Sequence, residues 1–139
     1  MRFCHARPSW LVKLRDISRI ILAVFFIAAG VNHFISPGIY LPMMPDYLPW
    51  HLGLIYASGV AEIAGGVGLC IPKFRWAAGW GLIALLIAIF PANLHMALHD
   101  IPLNGKHLPS WALWTRLPVQ LLMIAWVYLS CLREKPKAQ

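Results

Sequence analysis

Four stretches of the chain stay apolar for about the 20 residues that a bilayer core demands of a helix. They lie near Ile17–Ile35, His51–Ile71, Arg75–Leu98 and Trp111–Leu132. Polar or proline-rich segments separate them, and short connections between long helices favour antiparallel neighbours. The pattern predicts an all-α fold, an integral membrane four-helix up-down bundle over 17–132. A basic segment, 1–16, precedes it and a basic tail, 133–139, follows.

Inside the second run, small residues recur every four positions. Ala57, Ala61 and Gly65 form one ridge, and Ser58, Glu62 and Gly66 the next. Four-residue spacing holds such positions on one face, and small side chains let helices approach closely in lipid. This predicts that the second span is the most buried.

Composition agrees with a membrane protein. Apolar residues make up 60% and charged residues 12%, about half the charge of a soluble domain. The net charge of +7 does not point to nucleic acid, because the basic residues cluster just outside the apolar runs. Ten of the 12 Lys and Arg lie in three places: Arg2, Arg7, Lys13, Arg15 and Arg19; Lys73 and Arg75; Arg133, Lys135 and Lys137. The other two loops hold only Lys106. By the positive-inside rule both termini are expected in the cytoplasm, in a bacterial inner membrane, with loops 36–50 and 99–110 outside. The basic start followed by an apolar run also resembles a signal peptide. The run is long and lacks a small-x-small cleavage site, so a retained first span is expected.

Glu62 carries the strongest functional signal. A charge at mid-membrane costs about 2.5–3.5 kcal/mol on insertion scales and is usually buried with a partner. Arg116 is the expected partner. It starts about 8 Å below the outer end of its helix and could reach toward Glu62, which lies about 12–16 Å deep, at 1.5 Å per residue. Asn32, His33, Asn93 and Gln120 fall in the same outer half. Pro91 and Pro118 free the carbonyls of Ile87 and Trp114, which then need other partners or a wet cavity. Together these predict a polar pocket opening outward. The structural alternative is an ion pair and amides that only fix helix register.

Loop 36–50 holds four prolines and many apolar residues. It is expected to lie on the membrane surface or to fold over the pocket as a lid. His95 and His99 share the i, i+4 spacing of a metal-binding pair. Histidines at an interface explain them as well, and His99 is expected beyond the helix end. Cys4, Cys70 and Cys131 share no CxxC spacing. No Gly-rich phosphate loop, GxSxG elbow or HExxH motif occurs, so no catalytic residue is assigned.

The strings GVNHFISPGIYLPMMPDYLP (Gly30–Pro49), SGVAEIAGGVGL (Ser58–Leu69), FPAN (Phe90–Asn93) and RLPVQ (Arg116–Gln120), in that order, resemble the DoxX-like family of small four-helix membrane proteins. The resemblance spans roughly Ser18 to Arg133. It implies that Asn32, His33, Glu62, Asn93, Arg116 and Gln120 are the family's polar positions. It also implies a link to redox metabolism, since the family name comes from a subunit tied to thiosulfate oxidation with quinone as acceptor. Related MauE-type proteins assist maturation of a redox enzyme, but this chain lacks the outward cysteines for a disulfide role.

Three functions follow as expectations. The first is binding of a small amphipathic ligand, a quinone or a lipid head group, in the pocket. The second is a non-catalytic accessory subunit or assembly factor that docks a partner membrane protein. The third is a proton-coupled transporter built as a homo-oligomer.

Overall fold

The structure, a computed structural model, describes residues 9–133. Arg2, Arg7, Lys135, Lys137 and Cys4 lie outside the described residues. Four helices are long and apolar enough to cross a membrane. They are α1 (Ser9–Ile35), α3 (His51–Cys70), α4 (Arg75–His99) and α5 (Ser110–Val127). A short α2 (Pro37–Tyr40) and a 3-10 turn (Leu41–Met43) follow α1, and a π turn (Tyr128–Leu132) extends α5.

The helix α1 begins well before the expected Ile17. Nothing in Ser9–Asp16 breaks a helix, since the segment lacks Pro and Gly. Asp16 pairs with Arg19 one turn on at 2.7 Å. Apolarity marks the part of a helix inside the bilayer, not the whole helix.

The four long helices form a ring in the order α1, α3, α4, α5. The contacts between them fix the directions. The end of α1 meets the start of α3 at Gly30 and Gly59, and the end of α3 meets the start of α4 at Gly68 and Ala78. Asn93, near the end of α4, bonds Gln120 on α5. Ser18, early in α1, lies 2.8 Å from Ser130 in the π turn. Neighbours are therefore antiparallel. The bundle has a basic end, with Arg19 and Arg75, and a lid end, with loop 36–50 and loop 100–109.

The two halves of the bundle are filled differently. The basic half is solid, built from Leu22, Phe26, Leu69, Leu82, Leu86 and Val127, all buried. It is clamped by Arg19, whose Nε donates to the Ser130 carbonyl at 2.8 Å, and by Trp126, whose Nε1 donates to Ser18 Oγ at 2.6 Å. At the lid end a second, smaller cluster joins Met43, Met96, Ala97 and Leu113. Between the two clusters lies a cavity.

Large apolar side chains such as Val24, Ile87, Leu121 and Leu122 cover the outside of the ring. That is the surface a bilayer accepts and water does not. Trp50, Trp111 and Tyr47 are exposed at the lid end, and Trp10 and Trp76 at the basic end, the positions of an interfacial aromatic belt. The second span is the most buried of the four. Its ridges differ from the pattern read in the sequence: Ala57 and Ala61 are exposed, and the contact face is Gly59, Glu62 and Gly66.

Candidate functional site

The site begins at a close crossing of α1 and α3. A Cβ added to Gly30 would stand 2.6 Å from the carbonyl oxygen of Gly59, and one added to Gly59 would stand 2.9 Å from that of Gly30. Only a pair of glycines permits this approach. Phe34 and Tyr56 stack across the same crossing with ring centroids 5.3 Å apart. One turn from the glycines the backbones carry His33 and Glu62, and His33 Nε2 comes to rest 3.4 Å from Glu62 Oε2.

This corrects the expected Glu62–Arg116 pair. Among the described residues the side chain that pairs with Glu62 is His33. The reason is local: the glycine crossing delivers the imidazole directly, whereas Arg116 lies on a helix that does not pack on α3. Arg116 instead turns Nη1 to the thioether of Met96 at 3.3 Å. Sulfur is a weak acceptor, and no carboxylate pairs with Arg116 among the described residues. Its guanidinium still faces the same cavity as Glu62.

The opposite wall comes from α4 and α5, each with an internal proline. Asn93 Nδ2 donates to Gln120 Oε1 at 3.1 Å. Gln120 Nε2 donates to the carbonyl of Leu86, next to the Ile87 carbonyl that Pro91 deprives of its helical donor. A side-chain amide thus bonds the backbone one residue from the break.

Loop 36–50 forms the roof. Tyr40, Met43 and Met44 line the cavity from above. Asn32 Nδ2 donates to the Tyr40 hydroxyl at 2.7 Å, and the Tyr40 ring stacks on His33 with centroids 4.1 Å apart. Met43 is buried against Met96 and Leu113, and His51 Nε2 meets the Pro45 carbonyl at 3.1 Å. Of the two expected arrangements the loop adopts the lid.

The cavity measures about 310 Å³, at the small end of the range for small-molecule sites. His33, Glu62, Asn93, Arg116 and Gln120 all line it. Asn32 does not line it and acts on it only through Tyr40. Phe25, Phe26, Ser58 and Met123 also line the cavity and were not singled out in the sequence as site residues. Ser58 had a readable signal, lying one helical turn before Glu62. The walls offer donors, acceptors and apolar faces, which suits binding. His33 Nδ1 is buried without a hydrogen-bond partner, and Glu62 Oε2 lies near His33 Nε2 without making a hydrogen bond.

The histidine pair sits elsewhere, near the lid end of α4. His99 is the last residue of that helix, not beyond it as expected, because the left-handed Asp100 ends the helix one residue later. The rings lie 4.3 Å apart. His99 Nδ1 bonds the His95 carbonyl of its own helix at 2.9 Å, which takes that nitrogen out of use as a ligand. Among the described residues no three of His, Cys, Asp and Glu converge on one point.

Residues 22–131 match the model of a family described as Domain of unknown function (DUF8561). The matched stretch contains every residue that lines the cavity. No curated protein and no solved structure matches the chain.

Proposed function

The chain belongs to the DUF8561 family, and we propose that it is a membrane-embedded binding protein for the polar head of a small amphipathic molecule, a quinone or a lipid head group. The observation that carries this reading is the cavity itself. Four helices of a thin-walled bundle direct His33, Glu62, Asn93, Arg116 and Gln120 into one space at membrane depth. Two of their polar atoms are buried without hydrogen-bond partners. Charged and amide groups are costly in a membrane, and a shared cavity is where function usually accounts for them.

In this reading the protein lies in a bacterial inner membrane with its basic end in the cytoplasm and its lid outside. The excess of Lys and Arg at the basic end supports that orientation. The DoxX-like resemblance of the site residues supports a place in redox or envelope metabolism, with quinone as the head group it favours.

The test is native mass spectrometry of the protein taken from its membrane in nanodiscs without detergent, comparing wild type with Glu62→Gln. The expected result is a discrete extra mass on the wild type that the folded variant lacks. Bare chains in both samples would remove the reading.

A second reading, an accessory subunit, is favoured by a groove of small residues on the outer face of α3 and α4. Ala61, Ala64, Gly68, Ala77, Ala78 and Gly81 line it, and small residues suit close helix docking in lipid. A stoichiometric partner polypeptide in the same spectra would support it.

A further inference from the structure

We infer that the cavity is loaded from the side: a ring-headed amphiphile enters from the lipid phase between α1 and α5, and its apolar chain stays in that gap while the head lies within. The inference rests on the binding reading above and adds a route and a ligand shape.

The cavity is bounded on most sides. Tyr40, Met43 and Met44 line it at the lid end, with Met43 buried in the second cluster. The main core fills the basic end. The α1–α3, α3–α4 and α4–α5 pairs are each in direct contact.

The remaining seam, between α1 and α5, is different. Among the described residues, the hydrogen bonds that tie α1 to the last helix and its π turn lie at the basic end, at Arg15, Ser18, Arg19, Trp126, Leu129 and Ser130. There α1 packs on the π turn, whereas toward the lid α1 and α5 barely approach one another. Yet both helices line the cavity in that region. Phe25 on α1 and Val119 on α5 each line it while remaining 52% and 48% exposed. A residue that faces both a cavity and the outside marks its mouth. This mouth lies on the lipid-facing flank, beside the exposed Val24 and Leu122.

Size and chemistry define the occupant. A volume of about 310 Å³ is roughly ten times the 30 Å³ that one water occupies in the liquid. That is room for a substituted six-membered ring but not for a long isoprenoid chain as well, so such a chain leaves through the mouth. Phe26, Tyr40, Met43, Met44 and Met123 present flat or polarizable apolar faces, which suit a ring better than a phosphate. Arg116, without a carboxylate, asks for an oxygen acceptor, and Glu62 for a hydroxyl donor. A ring bearing carbonyl or hydroxyl oxygens satisfies both.

The test uses two probes, a benzoquinone with a long isoprenoid chain and the same ring carrying only methyl and methoxy groups. Each is titrated into phosphatidylcholine nanodiscs and read by native mass spectrometry. Val119→Trp narrows the mouth from an exposed position, and Phe25→Trp does so from the opposite rim. The expected result is that the tailed probe loses about tenfold or more in apparent affinity in either variant, while the tailless ring changes by less than about threefold. Equal loss for both probes, or no loss for either, overturns side entry and leaves the binding reading intact. A wild type that takes up neither ring but carries phosphatidylcholine overturns the ring head. A wild type that binds nothing overturns the binding reading and the route with it.

Discussion

The His33 imidazole lies 3.4 Å from the Glu62 carboxylate, across a helix crossing that two glycines hold shut. Removing one member of such a pair strands the other in the interior. His33→Leu should lower stability by about 1–3 kcal/mol, the cost of a buried polar group left unsatisfied. Adding Glu62→Leu should restore most of that loss, since an apolar pair of similar volume is often no worse than a buried polar pair. Thermal unfolding of the two single variants and the double variant measures the coupling. Simple additivity of the losses would mean that the two groups do not interact.

The crossing itself can be tested against glycines that serve no contact. Gly59→Ala brings a Cβ to 2.9 Å from a backbone oxygen, an overpacking expected to cost about 1–3 kcal/mol. Gly81→Ala and Gly38→Ala meet nothing within 4 Å and should leave the melting temperature almost unchanged. If all three variants behave alike, the close approach of α1 and α3 is not what holds that seam.

Tyr40 ties the lid to α1 through one hydrogen bond and one ring stack. Tyr40→Phe removes the bond from Asn32 and keeps the stack on His33. Tyr40→Ala removes both. Proteolysis within loop 36–50 of reconstituted protein should therefore be slow in wild type, faster in the Phe variant and fastest in the Ala variant. Equal cleavage rates would show that the loop is held elsewhere, through Met43 and Pro45.

The two described cysteines report topology. Cys70 is exposed at the basic end and Cys131 is buried. In intact cells carrying Cys4→Ser, a membrane-impermeant maleimide should leave Cys70 unmodified until the inner membrane is opened. Cys131 should react only after unfolding. Labelling of Cys70 before permeabilisation would invert the proposed orientation.

The four spans were legible in the sequence because bilayer thickness forces long apolar runs of set length, and neither the glycines nor the prolines obscured them. The extra turns at the start of α1 were not, since a helix leaving the bilayer loses its apolar signature while keeping its hydrogen bonds. Of the site, Glu62, Asn93, Gln120, Arg116 and His33 were readable as polar residues where lipid should forbid them. Their pairing was not. Arg116 has reach enough for several partners, and the choice of His33 depends on how closely Gly30 approaches Gly59, a property of two helices and not of either alone. The prolines and apolar side chains of loop 36–50 left two arrangements open, a surface loop and a lid, and the anchor on Asn32 that decides between them was not readable. The turn at Asn104–Gly105 went unused, although both residues take positive φ and close a two-residue hairpin between Leu103 and Lys106.

One adjacency carries a further consequence. Asn32 holds the lid and His33 meets Glu62, and the two are consecutive residues on the last turn of α1. They point about 100° apart, as neighbours on a helix do, so a small roll of that turn moves both at once. The lid end of the protein is therefore a dial for its interior. A nanobody raised against the Pro37–Tyr40 turn should bind the filled and the empty protein with different affinities, turning a hidden occupancy into a signal readable at the lid.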